Sequence, residues 1–219
     1  MTVRVAFVHT VGFLADEFRH LMRAQQPQVD AFHILNESLL QDLLRGAPPA
    51  QVHRRVSEQL MLAVDAGAGL IVMTCSSTSP GVDLARQMTD LPILKIDDPM
   101  AAQAVRSGQR IGLMCTATST VAPSTALLQH HAARHGREIQ VQPVVNAAAY
   151  QALLSGDRAT HDVLVRDSAL RLAKEVDVLV LAQASLAHLA APLAEQSPCP
   201  VLASPPLLMR ELASRLATG

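Results

Sequence analysis

Aromatic side chains are nearly missing from this chain of 219 residues, which has no Trp, one Tyr (Tyr150) and four Phe. Bases therefore find no stacking platform, and 18 Lys+Arg against 19 Asp+Glu leave no basic excess for phosphates. A nucleic-acid partner is disfavoured on both grounds. Cysteine is scarce too: Cys75, Cys115 and Cys199 are odd in number and widely spaced. That pattern builds no disulfide framework and reads as reduced thiols in a cytoplasmic protein. Lysine stands only at Lys95 and Lys174, and neither GxGxxG nor GxxxxGK[ST] occurs, so the two common routes to nucleotide binding are closed. No apolar run approaches the ~20 residues of a membrane span, and no basic-then-apolar leader opens the chain. His131 and His135 have metal-ligand spacing, but no HExxH glutamate accompanies them, so no metal site is expected.

What the chain does have is apolar rhythm. Short runs rich in Val and Ile fall at residues 3–8, 29–35, 69–74, 92–96, 111–114, 139–145, 176–182 and 200–203. Unbroken runs of this kind are strands covered on both faces by helices, as in parallel sheets. Amphipathic helical patterns lie between them, over 15–26, 56–66 and 168–175, and Asn36 is placed to cap a helix over 37–44. The halves also repeat one another. Val5-Ala-Phe-Val-His-Thr10 is echoed by Ile111-Gly-Leu-Met-Cys-Thr116, and Leu91-Pro-Ile-Leu by Cys199-Pro-Val-Leu. The expected fold is α/β: two lobes related by a pseudo-twofold, each a doubly wound parallel sheet flanked by helices, with the active site in the interlobe cleft. The boundary falls near Ser107, giving a first lobe of residues 1–106 and a second of 107–219, whose last helix can pack back on the first.

Ligands of open parallel sheets bind at the carboxyl ends of the strands. There this sequence places His9 and Thr10, then Cys75, Ser76, Ser77 and Thr78. The second half places Cys115, Thr116, Ser119 and Thr120 there, then Gln183, Ala184 and Ser185. Small hydroxyls and backbone N–H groups form a cradle for an anion such as a carboxylate. Cys75 leaves a buried strand into Ser76–Ser79, with Pro80 opening the next helix. A thiol beside helix N-terminal amides is a usable base or nucleophile, whereas a buried free cysteine elsewhere is a small hydrophobe. Cys199 reads as structural, and Cys115 fits lining and packing equally.

The segment Ile71-Val-Met-Thr-Cys-Ser-Ser-Thr-Ser79 and the threonine-rich Gly112-Leu-Met-Cys-Thr-Ala-Thr-Ser-Thr-Val121 resemble the aspartate/glutamate/hydantoin racemase superfamily over essentially the whole chain. The resemblance implies a cofactor-independent enzyme moving a proton at the carbon next to a carboxylate. In the family, two cysteines act as acid and base while hydroxyl-rich loops hold the carboxylate. Cys75 matches the first cysteine. The second falls at Gln183, whose amide cannot titrate near neutral pH. The leading expectation is therefore racemase, epimerase or isomerase chemistry through Cys75 on a small carboxylate. The alternatives are a single-cysteine decarboxylase of the arylmalonate type and a carboxylate-binding protein without turnover. A homodimer is consistent with the resemblance.

Overall fold

The computed structural model describes residues 3–218 and divides into two compact units, Met1–Ile96 with Met209–Gly219, and Asp97–Leu208. In the first, β1 (Val5–His9) leads to α1 (Gly12–Gln25), β2 (Ala31–Leu35), α2 (Ser38–Leu44), α3 (Pro49–Asp65), β3 (Leu70–Met73), α4 (Pro80–Ala85) and β4 (Ile93–Lys95). The second contains α5 (Asp98–Ser107), β5 (Arg110–Cys115), α6 (Val121–Arg134), β6 (Gln140–Val145), α7 (Ala147–Leu154), α8 (Arg158–Leu172), β7 (Val178–Leu181), α9 (Ala190–Ala194) and β8 (Val201–Ala203). α10 (Ser204–Thr218) begins in the second unit, and its residues from Met209 onward belong to the first. All eight apolar runs form strands.

Each sheet has four parallel strands, ordered β2-β1-β3-β4 in one unit and β6-β5-β7-β8 in the other. The order is the same in both. The central strands β1 and β3, and β5 and β7, are buried almost throughout, as their unbroken apolar spelling requires. Pro143 sits in β6, an edge strand, where its missing N–H costs no ladder bond on the outer side.

The division between units comes ten residues before the point that the sequence suggests. α5 reads in sequence as the end of the first half. Its Met100, Ala101, Ala104 and Val105 are instead packed into one core with Ile111, Leu113, Leu128 and Val180 of the second unit. Asn36 is a smaller departure: the helix after it starts at Ser38 with no side-chain cap, and Asn36 Oδ1 accepts the Ser38 hydroxyl at 2.6 Å.

The turn that carries Cys75 is fixed by the helix that follows it. α4 is tied to β4 by Lys95 Nζ donating to Asp83 at 2.7 Å and by Arg86 donating to the Ile93 carbonyl at 2.6 Å. It meets α3 through Gly81, where a Cβ would lie 2.7 Å from Val56 Cβ and 2.9 Å from the His53 carbonyl oxygen. In an unconstrained helix Gly→Ala is stabilising by roughly 0.5–1 kcal/mol. Here both obstructing atoms are fixed to backbone, so Gly81→Ala is expected to destabilise by about 1–3 kcal/mol in urea unfolding. A rise in the urea midpoint would contradict this packing.

Candidate active site

β1 and β3 are neighbours, so the loops after them lie side by side at the carboxyl end of the first sheet. These loops carry His9, Thr10 and the run Thr74–Ser79. Cys75 is 7% exposed and packs its sulfur among the residues of the α3 and α4 face. The hydroxyls of Thr10 and Thr78 are buried and meet no hydrogen-bond partner among the described residues. A buried hydroxyl without a partner costs on the order of 1–3 kcal/mol. The two stand on the neighbouring loops after β1 and β3, Thr78 three residues on from Cys75. Ser76 and Ser77, both nearly buried, continue the polar rim.

His9 is fully buried and has both ring nitrogens engaged. Thr74 Oγ1 donates to the Val8 carbonyl at 3.1 Å, so it accepts from His9 Nδ1 at 2.8 Å. His9 Nε2 is then the acceptor for His33 Nδ1 at 2.9 Å. The two imidazoles lie edge to edge in nearly one plane and run parallel to the ring of Phe7, with Phe18 beside it, which gathers two of the four phenylalanines at one spot. Neither nitrogen of His9 is left for a ligand; the ring braces the ends of β1, β2 and β3. Burial, with the charges of His33 and Arg19 adding to it, holds His9 down at about 3. His33 is held at about 4 by burial and by Arg19 and Arg23, against the opposing charge of Asp16. Its outer side opens on a groove of about 200 Å³ lined by those two arginines.

In the second unit the equivalent loops follow β5 and β7. Gln183 Oε1 accepts the backbone N–H of Thr116 at 2.6 Å, that of Ala117 at 3.4 Å and the Thr116 hydroxyl at 3.1 Å. Backbone N–H groups can only donate, so they fix which end of the amide is oxygen and leave Nε2 to face away as a donor. Gln183 thereby stitches the two loops together. Ala184 and Ser185 open a 3-10 turn (Ala184–Leu189), and Ser119 and Thr120 lie on another (Thr118–Thr120). Gln183→Leu removes all three bonds and is expected to cost about 2–3 kcal/mol, while Gln183→Glu keeps an acceptor and stays near wild type. Equal urea midpoints for the two variants would show that the stitch carries no stability.

Cys115 takes the packing role. It is fully buried in the core of the second unit, its thiol 3.7 Å from the Val144 carbonyl, and burial pushes it up to about 11. Cys199 lies half-buried beside the α8 and α9 core, its sulfur 3.6 Å from the Ser197 hydroxyl. His131 reaches Asp98 at 3.2 Å, and His135 caps α6. Among the described residues no group of three His, Cys, Asp or Glu side chains could hold a metal ion, and no helix is long and apolar enough to cross a membrane.

The described fold is two parallel α/β sheets of identical strand order, each with hydroxyl-rich loops at its strand ends, one of them carrying a thiol. The Asp/Glu/hydantoin racemase family model matches residues 14–212, and the chain belongs to that family. Its fold is similar to three solved structures in particular. An Asp/Glu racemase described as putative, from Yersinia pestis, superposes with a TM-score of 0.75 at 19% identity, over 98% of this chain and 99% of that one. Allantoin racemase from Klebsiella pneumoniae gives 0.72 at 18%, over 99% and 89%. Glutamate racemase from Francisella tularensis, in complex with D-glutamate, gives 0.75 at 13%, over 99% and 81%. No curated protein matches the sequence significantly.

Proposed function

We propose that this protein is a cofactor-independent isomerase that moves a proton at the carbon α to the carboxylate of a small substrate, with Cys75 as the transferring group. The observation that carries this reading is the pair of buried hydroxyls, Thr78 on the Cys75 loop and Thr10 on the loop beside it, that meet no partner among the described residues. A carboxylate oxygen accepts from such donors, and the ene-diolate formed on loss of the α-proton accepts from them more strongly because its charge is greater. Ser76 and Ser77 supply further donors of the same kind. In the second unit, Ser119, Thr120, Ala184 and Ser185 are proposed as binding positions, and Thr116 as a position held by Gln183, which already takes its N–H and hydroxyl. The bound D-glutamate of the Francisella structure is a ligand of the proposed class.

A second reading has its own observation. Gln183 holds no titratable proton, so among the positions carried over from the family Cys75 is the one proton carrier. A single carrier suffices for decarboxylation, where a carboxylate leaves as carbon dioxide and the thiol protonates the resulting carbanion.

Both readings are tested by incubating the protein in D2O with glutamate, aspartate, allantoin, hydantoins and substituted malonates, and following the α-proton and carbon dioxide by NMR. Deuterium entry with change of configuration supports the isomerase, and loss of carbon dioxide supports the decarboxylase. Binding with neither leaves only a carboxylate-binding protein.

A further inference from the structure

The second unit holds a cluster of titratable side chains that the reading above does not use. Asp162, on α8, accepts from His161 Nδ1 at 2.7 Å and from His188 Nε2 at 2.9 Å, both at Oδ1. The two imidazoles stack, with centroids 6.4 Å apart. His161 is almost fully buried, and its Nε2 meets no partner. It gives its single N–H to Asp162, which leaves Nε2 a bare acceptor. Burial works to raise the Asp162 carboxyl, but the hydrogen bonds from His161 and His188 and their charges outweigh it and hold it below the ordinary carboxylate range. Asp162 is thus an anion fixed in place by one histidine and turned toward another.

The position of the cluster matters as much as its bonding. α8 runs from the carboxyl ends of the strands downward, since Leu172 at its far end abuts Gly112 in the middle of β5. Nearer its start, Leu164 and Ser168 receive the side chain of Asn146, which directly follows β6. His161 and Asp162 come earlier still, at the ligand-binding end of the sheet. His188 lies on the 3-10 turn that begins just after Gln183, one turn on from Ser185, and residues three apart in such a turn share a face. Its side chain is 33% exposed, and Nδ1 has no partner among the described residues.

We infer that His188 is a general acid–base at the strand ends of the second unit, with Asp162 as its positioning residue, acting on the same class of carboxylate. The inference rests on the proposed proton transfer at the α-carbon, and it names a titratable proton carrier within the second unit, where the amide of Gln183 is none. In the step, the α C–H bond breaks and its electron pair stays on carbon, delocalised into the carboxylate. The proton forms a new N–H bond at Nδ1, and the imidazolium keeps its Nε2–H on Asp162. Return of the proton from Nδ1 re-forms the C–H bond and draws the electron pair back to carbon, and delivery to the opposite face of the planar carbon gives the other enantiomer. Asp162 fixes the tautomer in which Nδ1 carries the lone pair, as a carboxylate does for a catalytic imidazole.

The test combines turnover with imidazole NMR on the full chain. Long-range 1H–15N spectra are expected to show His188 protonated at Nε2 and bare at Nδ1, with the reverse at His161. A turned-over or bound member of the carboxylate panel is expected to shift the His188 Nδ1 resonance. H188Q is expected to slow interconversion of enantiomers about 100-fold or more, and D162N to mix the tautomers of His188 and slow turnover about tenfold or more. Alkylation of Cys75 by iodoacetamide is expected to be unchanged in both. Wild-type rates in H188Q, or a His188 Nδ1 that no panel member shifts, overturn the assignment and leave the cluster as a clamp of the turn onto α8. Absence of turnover in the wild-type protein removes the Cys75 reading instead; the Nδ1 shift then decides His188 by itself.

Discussion

Cys75→Ala is expected to reduce α-proton transfer by about 10²–10⁴-fold while leaving the protein folded, the range over which one acid–base group contributes to a rate. The substitution deletes a single sulfur from the core that Cys75 shares with Val56, Leu60 and Val82, and such a small deletion costs about 1 kcal/mol. The hydroxyls of Thr10 and Thr78 remain, so carboxylate binding is expected to persist in the variant when measured by calorimetry. Cys75→Ser keeps the size and loses the chemistry, because an alcohol is far too weak an acid to form its anion under conditions where a thiol can. Activity in D2O, followed by NMR on the same panel, separates the outcomes. An alanine variant as fast as wild type sinks the thiol mechanism, whereas loss of both binding and activity in a folded serine variant assigns Cys75 to the cradle.

The second large effect is on stability in acid. His9 and His33 form a chain in which His9 Nδ1 donates to Thr74 and Nε2 accepts from His33, so a proton added at Nε2 breaks the bond from His33 as it stands. Their values of about 3 and about 4 lie well below the 6.5 of an exposed histidine. As pH falls through 6.5 the unfolded chain takes up protons that the folded chain refuses, so stability declines with falling pH. The stabilisation is complete above pH 6.5 and is lost progressively down to about pH 3. At pH 5 the loss from His9 is about 2 kcal/mol, with a smaller share from His33, whose outer edge meets solvent. Such a loss is a large fraction of the 5–15 kcal/mol typical of a folded domain. Urea unfolding at pH 7.5, 6 and 5 checks this, with His33→Asn expected to flatten the dependence. A wild-type stability that is level across that range contradicts the assigned protonation.

The architecture was legible because parallel strands are spelled locally. Runs such as Ile71–Met73 and Val178–Leu181 announce themselves by composition, and the order of turns repeats between halves. The division at Ile96 was not legible, because an amphipathic helix does not say which core it joins; α5 was decided by contacts with residues far along the chain. The same distinction runs through the site. Cys75 stands out as a thiol at the end of a buried strand, and Gln183 as a mismatch in a repeat. That Gln183 turns its carbonyl onto Thr116, 67 residues away, is a property of the folded loops alone. His33 gave no signal, since its partners are His9 and, through it, Thr74. Asp162 and His188, 26 residues apart, sit in stretches that read separately as ordinary helix and turn.

The amide of Gln183 has one consequence for what the protein can hold. Its oxygen receives two backbone N–H groups and a hydroxyl, which is the set of donors that a bound carboxylate oxygen would draw from those same loops. The second unit therefore carries its own permanent stand-in for an acid, covalently attached and neutral. In the first unit the hydroxyls of Thr10 and Thr78 have no such partner among the described residues. Of two units with the same strand order, one therefore has this acceptor built in. The three donors that meet on Gln183 are spent before any ligand arrives.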